Sequence, residues 1–139
     1  KMAQEAHLPD IILAFIPQHH GTMLLEFFYH KAVSNASGDE VAEADFRYPG
    51  PKPQYVDTAI LMLADAVEAA SRTLTEPSIE KIDGLIRQII KTRLHDGQFD
   101  ECNLSTLDLA KIRKALTHTM LASLHNRIEY PWQQGTNNE

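Results

Sequence analysis

The sequence predicts an all-α fold. Apolar residues recur at three- and four-residue spacing through several separate stretches. No stretch shows clean apolar–polar alternation, and three prolines and a glycine crowd into the one segment Pro49-Gly-Pro-Lys-Pro53, where a helix cannot form. About five helices are expected in a single 139-residue domain.

The elements follow in order. The opening Lys-Met-Ala-Gln-Glu reads as the middle of a helix, as though cut from a longer chain. Pro9 suits the first turn of the next helix, because its missing N–H would be unpaired there anyway. Ile11, Ile12, Phe15 and Ile16 form its apolar face. Pro17 should kink or interrupt it and Gly21 should end it. A second helix lies within 21–33, with Thr22 as its cap, 23–33 as its body and Leu24, Phe27 and Phe28 as its stripe. Periodicity then vanishes over 34–54, a polar loop followed by a stiff, extended Pro-rich stretch. Loops of this length in compact domains are usually functional or disordered. An Ala-rich helix covers 55–74. The next, 78–94, carries Ile79, Ile82, Leu85, Ile86, Ile89 and Ile90. The last, 105–128, opens on Ser105 with capping-box spacing to Asp108 and stops before Tyr130-Pro131. The tail 133–139 is expected to fray.

Composition narrows the function. Apolar residues make up 43% and charged residues 23%, which argues against disorder. A net charge of −6 argues against a broad DNA- or RNA-binding surface, but leaves room for a small anionic ligand. The single cysteine, Cys102, excludes an internal disulfide and fits a reducing compartment. No apolar run approaches the roughly 20 residues that span a bilayer.

The chemistry centres on His19-His20. Neutral imidazoles, with a carboxylate, are common ligands for divalent metals. Neighbours on a regular helix point about 100° apart, so the pair can share a site only where the helix ends or bends, and Pro17 and Gly21 supply that break. Two exposed polar residues at a helix end are the alternative. Asp65 is a lone acid in Ala59-Ile-Leu-Met-Leu-Ala-Asp-Ala-Val67. Buried, it needs a metal, a cation or a hydrogen-bond donor. Otherwise it lies on an exposed face of a helix whose core side is Ile60, Leu63, Ala64 and Val67. Glu68 and Arg72 follow Asp65 on one face, as an i, i+4 ion pair or with Arg72 free to fork a phosphate. Arg47, Tyr48 and Lys52 on the Pro-rich loop suit a phosphate and a base, or else anchor the loop. His95-Asp96, followed by Gly97, reads as a turn with local hydrogen bonds.

Five stretches taken together carry a family resemblance. They are Ile16-Pro-Gln-His-His-Gly-Thr22, Phe27-Phe-Tyr-His-Lys-Ala32, Phe46-Arg-Tyr-Pro-Gly-Pro-Lys-Pro-Gln54, the Ala59–Arg72 helix and Asp96-Gly-Gln-Phe-Asp100. From about Leu8 to Pro131 the chain resembles the intracellular HD domain of seven-transmembrane bacterial receptors, the PgpH-type cyclic di-AMP phosphodiesterases. The resemblance implies a helical HD-superfamily fold with a two-metal centre of iron or manganese, and hydrolysis of cyclic di-AMP to the linear dinucleotide. It also implies a cytoplasmic domain of an integral membrane protein. The family's ligand pattern is an early His, a His-Asp dyad, another His, a His-His pair and a late Asp. His19 and His20 match the pair and Asp65 the late Asp. The other four have no counterpart and are expected before Lys1, on N-terminal helices of the domain. Arg47, Tyr48, Lys52 and Arg72 become candidates for substrate contact. The fragment alone is expected to be inactive, and its first two helices to expose apolar faces that the upstream helices or a second copy would cover. A non-catalytic sensor or signal-transmission module is the competing function.

Overall fold

The computed structural model describes residues 2–36 and 40–125. Among them are six α-helices and no strand: α1 (Met2–Glu5), α2 (Asp10–Gln18), α3 (Glu26–Asn35), α4 (Val56–Ser71), α5 (Ile79–His95) and α6 (Thr106–His125), with a 3₁₀ turn at Glu43–Phe46. The end of the last helix expected near residue 128 and the tail lie outside the described residues.

The core is built by α4, α5 and α6. Met62, Leu63 and Val67 of α4 meet Ile82, Ile86 and Ile90 of α5, and Leu109 and Ile112 of α6 close the other side with Phe99. Burying each such side chain contributes roughly 1.5–3 kcal/mol. Local chemistry fixes where two of these helices start. Ser78 Oγ accepts from the Lys81 N–H. Ser105 Oγ accepts from the Asp108 N–H while the Ser105 N–H donates to Asp108 Oδ2, the reciprocal box expected from spacing. Asp83 of α5 receives both Arg87 and Arg113, tying α5 to α6.

Two expectations need correction. The second helix does not begin at Met23 under a Thr22 cap. Thr22 gives its N–H to Gln98 Oε1 and its hydroxyl oxygen accepts from Gln98 Nε2, and Leu24 pairs with Arg47 in an isolated antiparallel bridge, so the chain stays extended until α3 starts at Glu26. The core side of α4 is Ala59, Met62, Leu63 and Val67, whereas Ile60 is partly exposed. Of the two placements left open for Asp65, the structure has the exposed one: it lies on the exposed side of α4.

The first helices pack thinly. α2 rests on α4, and α3 lies against the 3₁₀ turn. Ile11, Ile12 and Ile16 of α2 are about half exposed, and Phe27 and Phe28 of α3 are 71% and 58% exposed. The apolar residues that mark these helices in the sequence are therefore uncovered in this chain. Among the described residues no helix is long and apolar enough to cross a membrane.

Candidate functional site

α2 ends one residue past Pro17, and the histidines sit at the break. His19 is the C-cap, its N–H donating to Phe15 O, and Gly21 turns the chain with φ +55°. The turn brings the two imidazoles together, with ring centroids 3.8 Å apart. His19 Nδ1 lies 2.7 Å from Phe15 O. A carbonyl oxygen only accepts, so Nδ1 carries the proton and Nε2 keeps its lone pair for a ligand. His20 stacks on Tyr48, ring centroids 4.5 Å apart and planes within 7°. Partial burial pushes the His20 pKa down, His19 pushes it further down and the Asp65 carboxylate opposes both. The net effect favours the neutral imidazole, the metal-binding form.

Two glutamines hold this turn, and both escaped the sequence reading. Gln18 is buried and its Oε1 accepts from the Gln54 N–H and from Thr58 Oγ1, fixing the end of α2 against the Pro-rich loop and α4. Gln98 is fully buried; its Oε1 accepts from the Thr22 N–H, and its Nε2 donates to Thr22 Oγ1 and Asp96 Oδ2. The available signal was their place: Gln18 adjoins the histidine pair, and Gln98 is the middle residue of Asp96-Gly-Gln-Phe-Asp100. Gly21 completes the fit, since a Cβ there would run into the Gln98 side-chain oxygen and crowd Met62.

Arg47 is not free for a phosphate. Its Nε and Nη2 donate to Glu43, its Nη1 to Thr22 O, and Nη1 and Nη2 fork onto the Asp96 carboxylate. Every guanidinium nitrogen is engaged, so the side chain clamps the Pro-rich loop to the histidine turn and to the end of α5. The neighbouring carboxylates raise the Arg47 pKa. Burial opposes the charge on Asp96, but hydrogen bonds from Arg47 and Gln98, with the Arg47 and Arg93 charges, outweigh it and hold the carboxyl below its ordinary value. The His95-Asp96 turn is thus local in shape and long-range in its bonding. Lys52 is a quarter exposed, with Nζ 3.6 Å from Asp100 Oδ2, a long contact that leaves its charge available. Arg72, 67% exposed, forks onto Glu68, the i, i+4 pair that the spacing allowed.

A metal centre can be tested against these positions. His19 and His20 are suitable donors, adjacent and with at least one lone pair directed by a fixed tautomer. Asp65 is close enough to bias His20 electrostatically. Among the described residues, however, no group of three or more His, Cys, Asp or Glu side chains is arranged to hold a metal ion.

No family model matches the sequence. The cyclic-di-AMP phosphodiesterase PgpH of Bacillus subtilis (strain 168) is 47% identical over 130 residues, which are 94% of this chain and 18% of that protein. PgpH of Listeria monocytogenes serotype 1/2a (strain 10403S) is 45% identical over 131 residues, with the same two shares. The crystal structure of the L. monocytogenes PgpH HD domain in complex with cyclic-di-AMP matches with a TM-score of 0.84 at 45% identity, over 93% of this chain and 60% of that one. The chain is a homologue of the PgpH HD domain. Its all-helical architecture is accordingly the HD-domain fold, and the five-stretch resemblance to PgpH holds along nearly its whole length. It spans 18% of the length of the curated PgpH relatives.

Proposed function

We propose that this chain forms the C-terminal part of an HD phosphohydrolase domain that hydrolyses cyclic di-AMP to the linear dinucleotide. The observation that supports it best is the imidazole pair at the α2 break: His19 with its Nε2 lone pair free, His20 stacked on Tyr48, and Asp65 within electrostatic reach. His19, His20 and Asp65 would hold divalent cations, two iron or manganese ions in the complete domain. When bound, such ions supply activation of a water and neutralisation of the charge developing at phosphorus.

The chain's own residues have separate tasks. Gln18, Gln98 and Arg47 set the geometry of the histidine turn. Tyr48 fixes the His20 ring plane. Lys52 offers an ammonium to a substrate phosphate, and Arg72 serves the same end after releasing Glu68. The uncovered apolar residues of α2 and α3 would pack against the N-terminal helices of the domain, or against a second copy. The domain would sit on the cytoplasmic side of a membrane receptor.

The test is metal analysis together with turnover of cyclic di-AMP and cyclic di-GMP. A longer chain that restores a His-Asp dyad should bind two metals and cleave cyclic di-AMP, and Asp65→Ala should abolish turnover. The 139-residue chain should show little activity. Comparable turnover by both chains under saturating manganese would overturn the reading. Tight nucleotide binding without cleavage by the longer chain would instead indicate a sensor.

A further inference from the structure

A second feature lies away from the histidine turn. Between the C-terminal end of α5 and the start of α3 is an open cavity of about 410 Å³ into which Lys91, Arg93 and His95 project. None of His19, His20, Tyr48, Lys52, Asp65 or Arg72 lines it.

The charges around it do not balance. Arg47 reaches its wall, but that guanidinium is already spent on Glu43 and Asp96. Asp96 is likewise occupied, by Arg47 and Gln98. Arg93 differs: its Nε is shielded from water and has no hydrogen-bond partner, and among the described residues its guanidinium forms no ion pair. Burial pushes its pKa down, opposed by the charges of Glu26 and Asp96. Lys91 is exposed and likewise forms no ion pair among the described residues. Glu26 is the remaining acid on the wall, and it stands against two uncommitted cations. Two cations without a carboxylate partner favour an anion between them, and an oxyanion with two oxygens to offer matches the planar fork of a guanidinium.

We infer that this cavity is an oxyanion site that takes a phosphate or pyrophosphate group, with Arg93 as its principal contact, Lys91 as its second cation and Glu26 limiting its affinity. It is separate from the site of the proposed hydrolysis and stands whether or not that reading holds.

The test is calorimetric titration of the full chain with inorganic pyrophosphate, in EDTA so that no metal bridges the anion to the histidines. Saturable binding should weaken as salt rises. Arg93→Gln should weaken it about tenfold or more, the scale of losing a charged hydrogen bond. Arg93→Lys keeps the charge and loses the fork, so it should fall between. Glu26→Gln removes a like charge from the wall and should tighten binding several-fold. That arm also covers a failure of Arg93→Gln to fold, which circular dichroism would reveal. If Arg93 belongs instead to an internal pair with Glu26, then Glu26→Gln will lower stability without improving affinity, and the inference fails. It fails too if no saturable binding is seen, or if Arg72→Gln or His20→Ala weakens binding as much as Arg93→Gln. The first would mark unspecific attraction to surface charge, and the second a phosphate seated at the histidine turn.

Discussion

Replacing Gly21 with alanine tests the packing of the histidine turn most directly. Gly21 adopts φ +55°, and an L-residue in that region costs about 1–2 kcal/mol. The added methyl also meets Gln98 Oε1, which must move and so loses the Thr22 N–H. A donor left short of its acceptor in a part-buried place costs about 1–3 kcal/mol. Together, roughly 2–5 kcal/mol of stability should be lost. Urea unfolding followed by far-UV circular dichroism measures it. Gly84 provides the internal control. It lies inside α5 with no atom within 4 Å of an added Cβ, so Gly84→Ala should stabilise by about 0.5–1 kcal/mol. A double-mutant cycle isolates the collision: in a Gln98→Ala background the clash with Gln98 is gone, and Gly21→Ala should then cost only its backbone term and the adjustment of the flexible Met62 side chain. A Gly21→Ala loss below about 1 kcal/mol, or strict additivity with Gln98→Ala, would refute the argument.

Other outcomes follow from the same contacts. Gln18→Leu should lower stability by about 1–3 kcal/mol, because the Gln54 N–H loses its acceptor and the buried Thr58 hydroxyl is left with the Tyr55 backbone alone; a neutral change in urea midpoint would contradict it. Asp96 titrates below its ordinary value, so the stability it contributes is present above an unfolded pKa of about 3.9 and disappears as pH falls through the lower folded value. Thermal unfolding from pH 6 downwards should therefore show an acid limb that Asp96→Asn flattens. For His20, NMR titration of the metal-free chain should give a pKa below the usual histidine value, and Asp65→Asn should lower it further by removing the opposing carboxylate. An unchanged His20 titration in Asp65→Asn would separate those two residues and undercut the shared site.

Much of this molecule was legible without coordinates. The helices α4 and α5 fall within a few residues of their expected spans, and α6 starts one residue from its expected start, because apolar spacing and the caps at Ser78 and Ser105 act between residues three or four apart. The break that brings His19 beside His20 was readable from Pro17 and Gly21 for the same reason. What needed the folded chain were pairings between distant polar groups. Thr22 had a local role open to it, as a helix cap, and took Gln98 instead, 76 positions away. Arg47 had the chemistry of a phosphate ligand and was taken by Asp96, 49 positions away. Asp65 could sit buried or exposed in its apolar setting, and it faces outward because Ala59, Met62, Leu63 and Val67 turn the other side of α4 to the core. The difference is physical. Apolar burial is unselective and periodic, so it leaves its register in the sequence. A hydrogen-bonding side chain accepts many partners on equal chemical terms, and only the packing of the helices decides which of them lies within 3 Å.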